Sequence, residues 1–174
     1  MENNGYVSID ATGFHRKHEI GEIKFDVVEG LGFDNKVVRL GDPFAKTPYL
    51  DGLVLTSNYV APVRGNKFPV LEYDFYSFQT GPVDVYTYMM PIFPLDNEHG
   101  SRYGVMVDNS PVYLPEAGAP YYSTLWIQSV LRNCRINKTT HFIDKPGKHT
   151  VKIYCAHPGM MLQKIVCLLY TSPS

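Results

Sequence analysis

Short segments in which apolar and polar residues alternate constrain the fold of this chain more than any other feature. Leu71, Tyr73 and Phe75 share one face of the stretch from residue 70 to 76, and residues 150–155 alternate in the same way. A period of two is typical of strands that are buried on one side only. Turns rich in glycine and proline follow these stretches, so the sequence predicts a chain of short strands.

The same signals extend over most of the sequence. Further strands are predicted over residues 6–11, 22–27, 36–40, 52–56, 83–88, 102–108, 138–143 and 161–167. Residues 124–132 instead place Trp126, Ile127, Val130 and Leu131 at helical spacing, which predicts a short helix. About ten strands without a βαβ rhythm predict an all-β fold, a two-sheet antiparallel β-sandwich of jelly-roll type with one short helix.

The turns also suggest which strands are neighbours. The Thr80-Gly81-Pro82 turn most simply joins residues 70–76 and 83–88 as a hairpin, and His157-Pro158-Gly159 joins the last two strands as a terminal hairpin. A third hairpin would bring His141 and His149 together. Eight residues on the apolar phase of their strands are predicted to form the core: Leu71, Tyr73, Phe75, Val83, Val85, Val151, Ile153 and Ile165.

Composition excludes several classes of function. The net charge is −1 and the sequence contains no cluster of basic residues, which argues against nucleic-acid binding. No apolar run approaches the length of a membrane span, and the first residues do not resemble a signal peptide. Three cysteines, Cys134, Cys155 and Cys167, lack the spacing of a metal site and are interpreted as small buried residues.

One domain is expected over residues 1–167. The remaining residues, 168–174, form an apolar run followed by a short polar end that resembles translated adapter sequence. We therefore expect this segment to be a non-native or disordered tail.

No motif for nucleophilic catalysis occurs in the sequence. Glu72 and Asp74 lie two residues apart on one strand face and could in principle act as paired carboxylates, but a solvated strand edge is the simpler interpretation. His15 and His18 point to opposite faces of an extended segment, which does not favour a zinc site. We therefore expect no catalytic residue, no metal and no cofactor, and no enzymatic activity of this chain alone.

Aromatic residues near the loops are the remaining candidates for a binding site, because sugar rings stack on tyrosine and tryptophan. The predicted ligand-binding residues lie around the loops at 90–101 and 115–123 and comprise Tyr88, Arg102, Tyr121, Tyr122 and Trp126. Arg102 could bind a carboxylate or could be a solvated strand end. Trp126 could be a binding platform, although a core anchor is the favoured interpretation.

Several sequence blocks occur in an order that resembles a known family. They are YVSIDATGFHRK, GLG, LEYDFYSFQTGPVDVYTYMMP, RYGVMVDNSP, WIQSVLRN, THFIDKPGKHTVKIY and HPGMMLQKIV. Together they resemble the C-terminal β-sandwich domain of glycoside hydrolase family 115 over residues 5–167. Two positions depart from the family pattern: Thr12 replaces an acid that in related sandwiches helps hold a structural calcium, and His157 replaces an aspartate.

The resemblance implies a non-catalytic accessory domain of a xylan α-1,2-glucuronidase, because the family's catalytic machinery lies in another domain. The implied partners are the catalytic domain of a parent enzyme, a second copy in a homodimer, and xylan oligosaccharides. The resemblance further implies a periplasmic or extracellular bacterial enzyme. Two alternatives are a carbohydrate-binding module for xylan or glucuronic-acid-substituted oligosaccharides, and a free-standing lectin-like or structural sandwich.

Overall fold

The residues that the structure describes form two antiparallel sheets and one helix. The computed structural model describes residues 4–45, 68–93 and 100–169, together with the backbone of residues 60 and 61. The described strands are β1 Tyr6–Asp10, β2 Arg16–His18, β3 Phe25–Glu29, β4 Lys36–Leu40, β5 Val60–Ala61, β6 Val70–Ser77, β7 Gly81–Met89, β8 Tyr103–Val107, β9 Val112–Tyr113, β10 Arg135–Ile143, β11 Gly147–Cys155 and β12 Met160–Leu169. Helix α1 spans Thr124–Leu131.

In the described part of the chain, each sheet contains six strands. Sheet A has the order β10-β7-β12-β4-β3, and β1 pairs with β12 beside β4. Sheet B has the order β2-β6-β11-β8-β9-β5. All pairings are antiparallel, which confirms the predicted two-sheet sandwich with a single short helix.

The core lies between the two sheets. All eight residues that were predicted on the apolar phase are buried, which confirms the strand phase. The three cysteines are buried and free, and burial raises the pKa of Cys155 and Cys167 to about 12. Because the thiolate is the reactive form, these residues act as small apolar groups rather than nucleophiles.

The predicted strand neighbours are wrong at three turns. β6 and β7 do not pair, because β6 belongs to sheet B and β7 to sheet A. The β10–β11 and β11–β12 connections also cross from one sheet to the other, so the last two strands are not a hairpin. A connection that changes sheet keeps the alternation of each strand but exchanges its partners, as in jelly-roll folds. The alternation of apolar and polar residues is therefore the same whether two consecutive strands pair in one sheet or lie in opposite sheets.

These crossings define two ends of the sandwich. The β7–β8, β9–β10 and β11–β12 connections lie at one end, which we name the aromatic end. The β6–β7, β8–β9 and β10–β11 connections lie at the other, which we name the histidine end. The register fixes this division, because Arg135 of β10 pairs with Met89 at one extreme and Ile143 pairs with Gly81 at the other.

Three predictions from the sequence concern segments at or beyond the edges of the described residues. Strand β12 continues past the predicted boundary at residue 167, since Leu168 pairs with Tyr6 and Leu169 pairs with Val83. The remainder of the predicted tail and the predicted strand at 52–56 lie outside the described residues. Within the described part of the chain, no helix has the length and hydropathy needed to cross a membrane.

Candidate functional site

Two loops at the aromatic end are held side by side by backbone contacts. Isolated β-bridges join Ile92 to Gly118 and Arg102 to Glu116. The side-chain amide of Asn137 adds two anchors, donating to the Tyr103 hydroxyl and to the Glu116 carbonyl at 2.9 Å each. These contacts bring Phe93 next to the residues that precede helix α1.

Four side chains form the aromatic cluster at this junction: Phe93, Tyr121, Tyr122 and Trp126. The rings of Phe93 and Trp126 stack with centroids 5.0 Å apart and an interplanar angle of 19°. Tyr121 contacts Phe93, Trp126 and Tyr122 at centroid distances of 5.2, 5.6 and 3.8 Å. Tyr122 has a positive φ of 58° and is 71% exposed. The cluster is therefore packed internally while one side remains open to water.

Helix α1 starts at this cluster because Ser123 caps it. The Ser123 hydroxyl accepts a hydrogen bond from the Trp126 backbone N–H at 3.1 Å, a contact typical of N-caps. Ser129 is the only buried residue of the helix. Four large aliphatic side chains are exposed: Leu125, Ile127, Val130 and Leu131. Ile127, Val130 and Leu131 lie on one side of the helix by its period of about 3.6 residues, and we name this side the apolar helix face.

No charged residue occurs between positions 117 and 131, although this segment lies at the surface. Leu131 is 81% exposed, and the aromatic cluster directly precedes the helix. Single exposed apolar residues are common on proteins, whereas a group of this kind without charged neighbours indicates an interaction site.

The structure brings together three of the five predicted ligand-binding residues. Tyr121, Tyr122 and Trp126 all belong to the aromatic cluster, and Trp126 is half-buried among these rings rather than in the sandwich core. Phe93 was missed because the sequence alone does not reveal which residue of its loop faces α1.

Tyr88 and Arg102 lie apart from that cluster. Tyr88 is half-buried within β7, between Ile136 and Lys164 of the neighbouring strands, and burial raises its pKa. Arg102 is only 5% exposed, which excludes the alternative of a solvated strand end. Its guanidinium donates to the Leu114 carbonyl at 2.9 Å and lies 3.6 Å from Glu116, so it holds the loop below the rings.

The paired carboxylates on β6 form an ion network on the outer face of sheet B. Arg16 binds Glu72 and donates two hydrogen bonds to Asp74, which also accepts bonds from Lys148 and Thr150. The hydrogen bond from Arg16 is the main reason that the pKa of Asp74 lies well below its usual range. A general acid needs a raised pKa, so this arrangement suits an ion pair and not proton donation.

Two buried histidines mark the opposite end. The His141 ring lies between the hydroxyls of Ser110 and Thr139, at 2.8 and 2.9 Å, and burial lowers its pKa to about 4. The His149 ring lies between the Asp108 carboxylate at 2.7 Å and the Lys145 carbonyl at 2.9 Å. Because a carbonyl can only accept, Nε2 of His149 carries a hydrogen.

Comparison with protein families gives one match that covers nearly the whole chain. The model of the glycosyl hydrolase family 115 C-terminal domain matches residues 1–171. No curated protein matches the sequence.

Solved structures of low sequence identity share the fold of this chain. The chain is similar to a family 115 4-O-methyl-α-glucuronidase with specificity for decorated arabinogalactans, with 19% identity and a TM-score of 0.67 over 98% of this chain and 18% of that one. A family 35 carbohydrate-binding module from Clostridium thermocellum is 8% identical, with a TM-score of 0.52 and coverages of 95% and 98%. The C-terminal family 6 module of a laminarinase from Zobellia galactanivorans is 10% identical, with a TM-score of 0.52 and coverages of 94% and 98%. At these low identities, the comparisons show a similarity of fold alone.

Proposed function

The chain belongs to the glycosyl hydrolase family 115 C-terminal domains, and from this premise we propose that it is the accessory domain of an α-glucuronidase. The parent enzyme removes glucuronic acid or its 4-O-methyl form from a substituted plant polysaccharide, with xylan as the substrate implied by the sequence resemblance. The similar glucuronidase is about five times longer than the segment it shares with this chain, since only 18% of it is covered. The proposed role is to pack against the catalytic part of such an enzyme.

The observation that carries this proposal is the apolar helix face. Leu125, Ile127, Val130 and Leu131 are exposed on a segment without charged residues. Burying such side chains is favourable by roughly 25 cal/mol per Å² of apolar surface removed from water. A partner with an apolar surface of its own would therefore be held here, and the large remainder of the parent chain is the partner we propose.

The ion network on β6 supports a non-catalytic role. Both carboxylates contact Arg16, and the lowered pKa of Asp74 keeps that side chain ionised. Glycoside hydrolysis needs one carboxyl group that stays protonated to donate to the leaving oxygen. Purified residues 1–174 should accordingly release no glucuronic acid from glucuronoxylan.

Hydrogen–deuterium exchange tests the docking proposal. The backbone amides of residues 124–131 are compared in the isolated chain and in a full-length family 115 enzyme that contains it. We expect slower exchange in the full-length enzyme, because the docked partner covers the helix. Ile127→Asp combined with Leu131→Asp should remove this difference, since two buried charges would oppose docking.

Phe78→Asp is the matched control, because Phe78 is an exposed aromatic residue at the histidine end. This variant should keep the slow exchange of α1. Equal exchange of α1 in the isolated chain and the full-length enzyme would contradict the proposal. Protection that depends on concentration and follows dimer formation would assign the apolar helix face to a second copy instead.

A second candidate function, carbohydrate binding, is favoured by the aromatic cluster. Tyr121, Tyr122 and Trp126 present ring surfaces to solvent beside the helix, and ring surfaces can stack on the C–H groups of sugars. In this version of the proposal Arg102 and Tyr88 position the loop and the strand below the rings. The ligand would be a glucuronic-acid-substituted oligosaccharide of xylan or of arabinogalactan.

Titration with aldouronic xylo-oligosaccharides and with glucuronic-acid-bearing arabinogalactan fragments separates the two candidates. Trp126 is the only tryptophan, so its fluorescence reports on the cluster directly. Saturable changes that disappear in Tyr122→Ala would establish binding at the aromatic cluster. Unchanged fluorescence at millimolar sugar would leave docking as the function of this end.

A further inference from the structure

A polar cleft at the histidine end lies outside the surface discussed so far. It has a volume of about 560 Å³ and opens between the β8–β9 turn and the β10–β11 turn. Asp108, Asn109 and Ser110 line one side, and Phe142, Asp144 and Lys145 line the other. A volume of this size falls within the range of small-molecule sites.

The floor of the cleft is fixed by hydrogen bonds. Asp108 accepts from the Thr150 backbone N–H at 2.9 Å and contacts Nδ1 of His149 at 2.7 Å. The His149 side chain is fully enclosed and its other nitrogen donates to the Lys145 carbonyl at 2.9 Å. This chain of contacts connects both turns, so the two sides of the cleft are held at a fixed separation before any ligand binds.

Three polar side chains at the mouth of the cleft are not engaged in this network. Among the described residues, the side chains of Asn109, Asp144 and Lys145 form no hydrogen bond or ion pair, in contrast to Lys148, which binds Asp74 at 2.8 Å. Phe142 presents its ring beside them and is 65% exposed. The cleft thus offers one free amide, one free carboxylate, one free ammonium group and one ring surface.

We propose that this cleft binds one unit of a neutral saccharide. The hydroxyls of a sugar both donate and accept, which matches the free acceptor of Asp144, the free donor of Lys145 and the amide of Asn109. The ring of Phe142 covers the C–H face of the sugar, as aromatic side chains do in sugar-binding proteins. This site is separate from the aromatic cluster and does not rest on docking or binding at the opposite end.

Charge and ligand chemistry argue for a neutral ligand. Among the described residues that line the cleft, Lys145 is the single free cation and adjoins a free anion, Asp144, so the mouth has no net preference for an anionic group. The described residues include no group of three or more His, Cys, Asp and Glu side chains placed to hold a metal ion.

Nuclear magnetic resonance titration of the 174-residue chain tests the proposal with xylobiose, cellobiose and β-1,4-galactobiose as neutral probes and with glucuronate as the anionic comparison. We expect saturable shifts of the Asn109, Asp144 and Lys145 amide signals at millimolar concentrations of at least one probe. Asn109→Ala and Lys145→Ala should each raise the dissociation constant about fivefold, the effect of one lost hydrogen bond. Phe142→Ala should raise it about tenfold.

Phe78→Ala is the matched control, because it removes an exposed ring at the same end that does not line the cleft. Its dissociation constant should equal that of the unmodified chain, and all variants should keep the dispersed spectrum of the folded chain. The proposal is overturned by shifts confined to residues 121–126, by no shift with any probe, or by a tenfold preference for glucuronate over the neutral sugars.

Discussion

The two ends of the sandwich are built on the same core, yet they place opposite chemistry at the surface. At the aromatic end, a segment without charged residues exposes aromatic rings and aliphatic side chains to water. At the histidine end, charged and polar side chains bond to one another across two turns. The first surface gains free energy when another surface covers it, whereas the second has a polar floor that is satisfied within the chain and leaves the side chains of Asn109, Asp144 and Lys145 open to water.

The difference comes from the connections and not from the sheets. Strand β10 contributes to both ends, with Arg135 near the aromatic end and Ile143 near the histidine end, and its alternation is continuous between them. At the aromatic end the β9–β10 connection is long enough to include helix α1, whereas the β6–β7, β8–β9 and β10–β11 connections at the histidine end are short turns. A sandwich of this type can therefore acquire a new surface at one end without a change in its core.

The largest effect is expected from a residue that serves both ends. Ile153→Ala truncates a fully buried side chain in the middle of β11, which pairs with Leu71 and Val105. The free energy of unfolding should fall by roughly 2–5 kcal/mol, measured by chemical denaturation. Both ends should unfold in one transition, because they share this core.

Lys152→Ala, a change on the outer face of the same strand, serves as the control. Its free energy of unfolding should differ from that of the unmodified chain by less than about 0.5 kcal/mol. If Ile153→Ala left the denaturation midpoint unchanged, the assigned strand phase would be off by one residue.

A smaller effect on the free energy of unfolding is expected from a change of pH, through His141 at the histidine end. Burial lowers the pKa of His141 from 6.5 to about 4, so the unfolded chain binds this proton more readily than the folded chain. The contribution of His141 is therefore complete above pH 6.5 and is lost as the pH falls from 6.5 towards 4. Between pH 7.5 and pH 5 the free energy of unfolding should fall by about 1–2 kcal/mol through this group.

Denaturation of the His141→Gln variant at the same two pH values isolates this contribution. Asp84, whose charge acts on His141, is present in both chains, so the comparison reports the contribution of His141 itself. The variant should lose less stability on acidification than the unmodified chain. Equal losses would show that His141 does not contribute to the loss of stability at low pH.

The smallest effect should come from the aromatic end. Leu131→Ser changes a side chain that is 81% exposed, so the isolated chain should lose less than about 0.5 kcal/mol. Thermal denaturation of the isolated chain provides the measurement. A loss above about 1 kcal/mol would mean that this side chain is buried in solution, and the contrast between the two ends would then weaken.

The sequence predicted the strand phase and the helix because both depend on local periodicity. Leu71, Tyr73 and Phe75 follow a period of two, and residues 124–131 follow a helical period. It did not predict which strands are neighbours, because a turn such as Thr80-Gly81-Pro82 can either reverse a chain within one sheet or pass it to the opposite sheet. That choice depends on how the two sheets pack, which no local pattern contains.

The candidate site could likewise be predicted only where it depends on local sequence. Aromatic residues on a loop marked Tyr121 and Tyr122, but the contact with Phe93 depends on two loops lying side by side. The burial of Arg102 also depends on tertiary structure, because its partner is the Leu114 carbonyl in another connection. Asp108 and His149 pair across 41 residues of sequence, a distance at which spacing gives no signal.

Strand β12 has a consequence for how the chain folds. It pairs with β7 on one side and with β1 and β4 on the other, and the β1 pairing joins Tyr6 to Leu168. Contacts of such large sequence separation close slowly, because almost the whole chain must be brought together first. Until β12 is in place, three strands of sheet A keep unpaired edges that other chains can join. A chain cut within β12 should therefore aggregate during folding instead of fraying locally.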